Sequence, residues 1–125
     1  MLKFYDQTIF SDHTKGTYGD CARACICTLL QSDLKDWPHS INSAGEWNDD
    51  FFDKLNEFGY NLKFRNWGTR NIAFPDIVGL SGLTIRGINH MVLYSIPLQT
   101  IIHDPHPSRA GLTTRSNIYF LERIK

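Results

Sequence analysis

The run from Cys21 to Leu30, Cys-Ala-Arg-Ala-Cys-Ile-Cys-Thr-Leu-Leu, constrains this chain more than any other segment. It is helix-forming and nearly apolar all round, and such a helix is stable only when other elements enclose it. The expected core is therefore a central helix over Cys21 to Gln31, with Ala22, Ala24, Cys25, Ile26 and Leu29 on buried faces. Gly19 and Asp20 before it read as a turn and a helix cap. A second helix is expected from Asn48 to Phe58, where Phe51, Phe52, Leu55 and Phe58 recur at helical spacing against Asp49, Asp50, Asp53 and Glu57. The acidic first turn suits the helix dipole, and Gly59 ends the helix.

Everything after Gly59 changes period. Tyr60–Arg65, Ile77–Ile85, His90–Ile96, Thr100–His103 and Asn117–Arg123 read as strands, punctuated by Gly68, Pro75, Gly79, Gly82, Gly87, Pro97 and the Pro105–Gly111 loop. Helices first and antiparallel strands afterwards predict an α+β domain, an N-terminal central helix packed on a C-terminal antiparallel sheet. Residues 2–10 are expected to be a short extended piece and 11–19 a loop, while Leu34, Trp37 and Pro38 make an anchored bend. The 125 residues amount to one domain, and eight Phe, five Tyr and three Trp supply its core. Trp37, Trp47 and Trp67 read as core and rim packing.

Charge excludes some functions. Lys plus Arg equal Asp plus Glu at 13 each, so no bulk field draws a nucleic acid or a membrane surface. No apolar run approaches the roughly 20 residues of a membrane span, and Met1–Asp6 lacks the apolar stretch of a signal peptide. The expectation is a cytoplasmic protein. Cys21, Cys25 and Cys27 cannot all pair within the chain, and they lie too close together for a zinc framework.

Cys21 occupies the first turn of the central helix, facing unpaired backbone N–H groups and the positive end of the dipole. Both stabilise negative charge on sulfur, a common way to activate a nucleophile. The competing reading is a buried structural thiol, the role assigned to Cys25 and Cys27. A cysteine nucleophile needs a base, and the base needs an orienting group. His90 opens a strong strand and Asp104 closes the next one, so a hairpin through Ser95–Gln99 would set the two side by side. Taken singly, His90 reads as well as a structural histidine and Asp104-Pro105 as a turn opener. Gln7, across the loop from Cys21, is placed to supply an amide N–H to an oxyanion beside the Cys21 backbone N–H.

Gln7, Gly19-Asp20-Cys21, His90-Met91-Val92-Leu93-Tyr94 and His103-Asp104-Pro105 resemble the papain-like cysteine peptidases that process double-glycine leader peptides. Asp6-Gln7-Thr8 and the stretch from His103 to Leu112 also resemble small phage-associated papain-like proteins, over nearly the whole chain. The resemblance implies a papain-like fold and a cysteine-dependent hydrolase (peptidase, isopeptidase or amidase) without a cofactor, acting on a protein or peptide. It implies Cys21 as nucleophile, His90 as base, Asp104 as orienter and Gln7 as oxyanion donor, and the host cytoplasm as the site of action. An amine in place of water would make the same site a transferase. A host-takeover or anti-defence binding protein with a vestigial triad is the alternative of another class.

Two further groups are candidates. Arg86, Asn89 and Arg109, with Ser108, can form a substrate-binding anion pocket on the cleft rim, or the loop is simply solvated. His103, Asp104 and His106, with His13 as a fourth, have the residue types of a metal site, but Pro105 between them forces a turn that need not converge them.

Overall fold

The structure, a computed structural model, describes residues 2–12 and 14–124. It is an α+β fold of two α-helices and a five-stranded antiparallel sheet. The helices are α1 (Cys21–Leu30) and α2 (Asp49–Glu57), with a 3₁₀ turn over Leu34–Asp36 between them. The strands are β1 (Tyr60–Asn66), β2 (Ile77–Leu83), β3 (Asn89–Ser95), β4 (Thr100–His103) and β5 (Asn117–Arg123). Their order across the sheet is β1-β5-β2-β3-β4, so the last strand to be made inserts between the first two.

α1 is enclosed as its composition demands. Met91 and Leu93 of β3 meet Ala22 and Cys25 on one side of the helix. On the other, Ala24, Ile26 and Cys27 pack with Leu34, Trp37, Phe51 and Leu55. The opposite face of the sheet carries Val78, Leu80, Val92, Tyr94 and Ile118, covered by Trp67, Phe74 and Leu112 from the loops. β3 is thus buried on both faces and is a rigid base for whatever its first residues carry. Gly82 permits one close crossing: a Cβ there would lie 1.9 Å from the Thr114 carbonyl, where the 113–116 segment bonds back to Leu83 and Ser81.

Two details differ from the sequence reading, at Phe58 and at Asp20. Phe58, expected on the buried face of α2, is 48% exposed; it stands at the C-cap, where the helix has already run out of core to cover. Residues 2–10, expected as an extended piece, form no helix and pair with no strand among the described residues. They are bound instead to α1, through Gln31 to both backbone groups of Lys3 and through the Thr28 hydroxyl to the Tyr5 N–H. Asp20 stands at the N-cap position of α1, but its side chain makes no capping bond. Among the described residues no helix is long and apolar enough to cross a membrane.

Candidate active site

The first turn of α1, the start of β3 and the end of β4 meet at one edge of a cleft of about 860 Å³ that Cys21, His90 and Gln7 all line. Cys21 is half-buried there, and its sulfur accepts the Met91 N–H at 3.4 Å. The Met91 carbonyl in turn accepts the Cys25 thiol at 3.5 Å, so a single residue of β3 ties down two positions of α1. Cys25 and Cys27 are fully buried. Burial pushes both thiols up, that of Cys25 far above its ordinary value and that of Cys27 to about 12.

His90 is 6% exposed and donates from Nε2 to Asp104 Oδ1 at 2.7 Å, while the Cys21 sulfur lies beside its ring. The strand ladder accounts for the first contact. The β3–β4 pairing ends at Leu93↔His103, so Asp104 falls one step further on, opposite Val92, and His90 is its diagonal neighbour. Asp104 is itself held: the His106 and Gly111 N–H groups donate to its two oxygens at 2.9 and 2.8 Å. Burial would raise the Asp104 carboxyl, but the bonds from His90, His106 and Gly111 hold it down at about 2. Burial would likewise lower the His90 imidazole. The hydrogen bond to Asp104, the Cys21 sulfur beside the ring and the charge of the carboxylate outweigh it and raise His90 to about 9.

That direction gives a testable pH dependence. The folded value lies above the ordinary 6.5, so the stability contributed by His90 is whole below pH 6.5 and is lost as pH rises through about 9. Urea unfolding of the native chain and of His90→Gln should show their stability gap shrinking across that window by about 3 kcal/mol. A gap that stays constant from pH 6 to 9.5 would refute the charged state of the pair.

Gln7 is fastened on both sides. Its backbone N–H donates to the Pro105 carbonyl at 3.0 Å, next to Asp104. The residues after it bond to Asp20, next to Cys21: Oδ1 accepts the Thr8 and Ile9 N–H groups at 2.9 Å each, and Oδ2 accepts the Thr8 hydroxyl at 2.9 Å. Asp20 is therefore an anchor for the Gln7 segment, with Arg23 completing its shell. Gln7 Nε2 donates to the Ile9 carbonyl at 2.9 Å, which sets the orientation of the amide, since the reverse would face two oxygens. Its second N–H has no other acceptor among the described residues. Gly19 permits this approach, because a Cβ there would lie 3.1 Å from Gln7 Nε2 and 3.2 Å from the Ile9 carbonyl. Cys21 is the first residue of α1, where the helix supplies no carbonyl for its N–H.

The structure thus brings Cys21, His90, Asp104 and Gln7 together, and places Arg86 and Asn89 on the cleft as well. Arg109 is not there. Its guanidinium forms a two-point pair with Asp6 and donates to the Asp104 carbonyl. The 105–111 loop wraps around Asp104 and turns Arg109, at φ 51°, toward the N-terminal segment. The residue types of the metal alternative diverge too. His103 stacks on Phe4 and hydrogen-bonds the Tyr5 carbonyl, whereas His106 lies on the cleft, and His13 falls outside the described residues. Sequence reasoning did not foresee Phe10, Tyr18 and Tyr119 in the cleft lining; their local patterns carry no sign of a concave surface.

Chemically, an imidazolium held by a carboxylate beside a half-buried sulfur can stabilise a thiolate and later release a proton. The Cys21 N–H and the Gln7 amide, both on this cleft, are of the kind that receives an oxyanion. Compared with known protein families, characterised proteins and solved structures, the chain finds no match in any of the three.

Proposed function

We propose that this chain is a papain-like cysteine hydrolase that opens an amide, peptide or isopeptide bond in a protein or peptide through an acyl-enzyme. The observation that carries the reading is the buried line from Asp104 through His90 to Cys21, with the Gln7 amide on the same cleft. A helix start bearing the sulfur, packed on neighbouring antiparallel strands bearing the base and its carboxylate, is the papain layout. Three free thiols suit a reducing cytoplasm.

In this mechanism the Cys21 thiolate attacks the scissile carbonyl carbon and a C–S bond forms. The carbonyl π electrons move to oxygen, where the Cys21 N–H and Gln7 Nε2–H hold the charge. Collapse of the tetrahedral intermediate breaks the C–N bond, and the His90 imidazolium gives its proton to the leaving amine. Neutral His90 then takes a proton from water, which attacks the thioester and frees the acid and the Cys21 sulfur. Asp104 stays ionised throughout and holds the ring.

The direct test incubates the native chain and Cys21→Ala with a bacterial lysate and follows captured and cleaved proteins by mass spectrometry. The native chain should yield new termini or released amines, and the alanine variant should retain the intact forms of the same proteins. Absence of any new terminus, amine or thioester adduct would overturn the hydrolase reading. Once a substrate is in hand, Gln7→Ala should lower kcat by about 10²–10³-fold with little change in KM, the usual loss for one oxyanion donor. Full activity in that variant would remove Gln7 from the mechanism.

A further inference from the structure

Arg86 is the arginine that lines the cleft, and its surroundings are unusual for a cation. It is exposed and forms no ion pair with a carboxylate among the described residues. Its Nη1 lies instead against the His106 ring, 3.0 Å from Nε2 and 3.3 Å from Nδ1. The Ser108 N–H donates to His106 Nδ1 at 3.0 Å and the Ser108 hydroxyl lies 2.9 Å from the same nitrogen, so the imidazole is fixed by its own loop. Burial and the charges of Arg86 and His90 push His106 below its ordinary value, so it remains a neutral partner at pH 7. The guanidinium is thus held in place by a group that leaves its charge uncompensated. Asp12, the carboxylate on the cleft lining, is engaged with the turn it closes, accepting the Thr14 N–H and hydroxyl.

The position of Arg86 relative to the reacting groups is also defined. The His106 ring stands at right angles to that of His90, with centroids 6.2 Å apart, so Arg86 lies beyond His106 on the His90 side of the cleft. The leaving amine must lie on that side too, because His90 is the group that protonates it. We infer that Arg86 receives a carboxylate carried by the leaving-group half of the substrate, so that the preferred bonds are amides whose amine component is an amino acid or an acidic residue. This inference rests on the cysteine-hydrolase reading. A guanidinium binds a carboxylate through two parallel N–H···O bonds, and Arg86 can do so while it stays against the His106 ring. The main-chain carboxylate of a terminal residue and the side chain of an Asp or Glu offer the same chemistry.

The test uses N-acetylated mixed tetrapeptides joined to one of four amines: glycine, glycinamide, aspartic acid α-amide or asparagine amide. Amine release by the full chain is followed by mass spectrometry. Members with a carboxylate on the leaving amine should be cleaved about tenfold or more faster than their neutral twins, through a lower KM. Preference for glycine over aspartic α-amide assigns the main-chain carboxylate, and the reverse assigns the side chain. Arg86→Ala should erase the preference, whereas Arg70→Ala, an exposed arginine outside the cleft, should keep it. Equal cleavage of acid and neutral members, or a preference that survives Arg86→Ala, would overturn the assignment. If no member is cleaved, the ratio of iodoacetate to iodoacetamide alkylation rates at Cys21, at low ionic strength, decides separately. A several-fold fall in that ratio on Arg86→Ala upholds an anion site without the hydrolase, and an unchanged ratio overturns it.

Discussion

Limiting iodoacetamide at pH 6 is expected to alkylate Cys21 and leave Cys25 and Cys27 intact, by a margin of about 10²-fold or more. The three cysteines lie within seven residues of one helix start, so the difference comes from what surrounds each sulfur. Cys21 is half-buried on the cleft beside His90, which is raised to about 9 and is therefore an imidazolium at pH 6. Cys27 is pushed up to about 12 by burial and has almost no thiolate at that pH, and Cys25 is shut in altogether. His90→Ala should bring Cys21 close to the rate of an ordinary thiol. On the hydrolase reading, Cys21→Ala and His90→Ala should each reduce turnover by roughly 10⁴-fold or more, and the double variant should be no worse than either, since nucleophile and base act as one unit. Peptide mapping by mass spectrometry reads the first result. Equal, slow labelling of all three thiols in the folded chain would end the nucleophile assignment.

The largest loss of stability should come from a residue that does no chemistry. Asp20 is fully buried, and its two oxygens gather the Thr8 and Ile9 N–H groups, the Thr8 hydroxyl and the Arg23 guanidinium. Asp20→Ala leaves two backbone donors and a largely buried cation without their acceptor. Breaking a buried pair in this way costs about 3–5 kcal/mol. For a chain of this length that lowers Tm by roughly 10–20 °C. Asp20→Asn keeps one oxygen but turns an NH₂ toward the remaining donors, and should lose about half as much. Thermal melts of the three proteins give the comparison, and an alanine variant within about 1 kcal/mol of the native chain would refute the anchoring role. Burial would raise the Asp20 carboxyl, but the bonds from Arg23, Ile9 and Thr8 take it below its ordinary 3.8. Its contribution is therefore whole above pH 3.8 and is lost as pH falls through the lower folded value.

The gross fold was legible because its signals are local. The apolar decamer, the Phe51–Leu55 stripe and the Gly and Pro punctuation of the second half each act within one element, and predicted and observed boundaries differ by one or two residues. The hairpin between β3 and β4 extends that reach, since antiparallel pairing carries His90 to Asp104 by register alone.

Beyond the hairpin, local rules lose their hold. Asp20 has the sequence signature of a cap, yet its carboxylate spans twelve residues back to Thr8, where the Gln7 segment needs acceptors more than the helix does. Arg109 is as good an anion binder as Arg86 by composition. Its fate was decided by Asp6, 103 residues away, which the 105–111 wrap around Asp104 brought within reach. His103 and His106 differ by three positions and face opposite surroundings, because Pro105 turns the chain between them. The sequence by itself determined the elements, their order and the hairpin neighbours, since periodicity and pairing register act over a few residues. Only the tertiary structure decided which polar side chains share the cleft and which are spent on one another, because those contacts satisfy buried donors and acceptors brought together from distant parts of the chain.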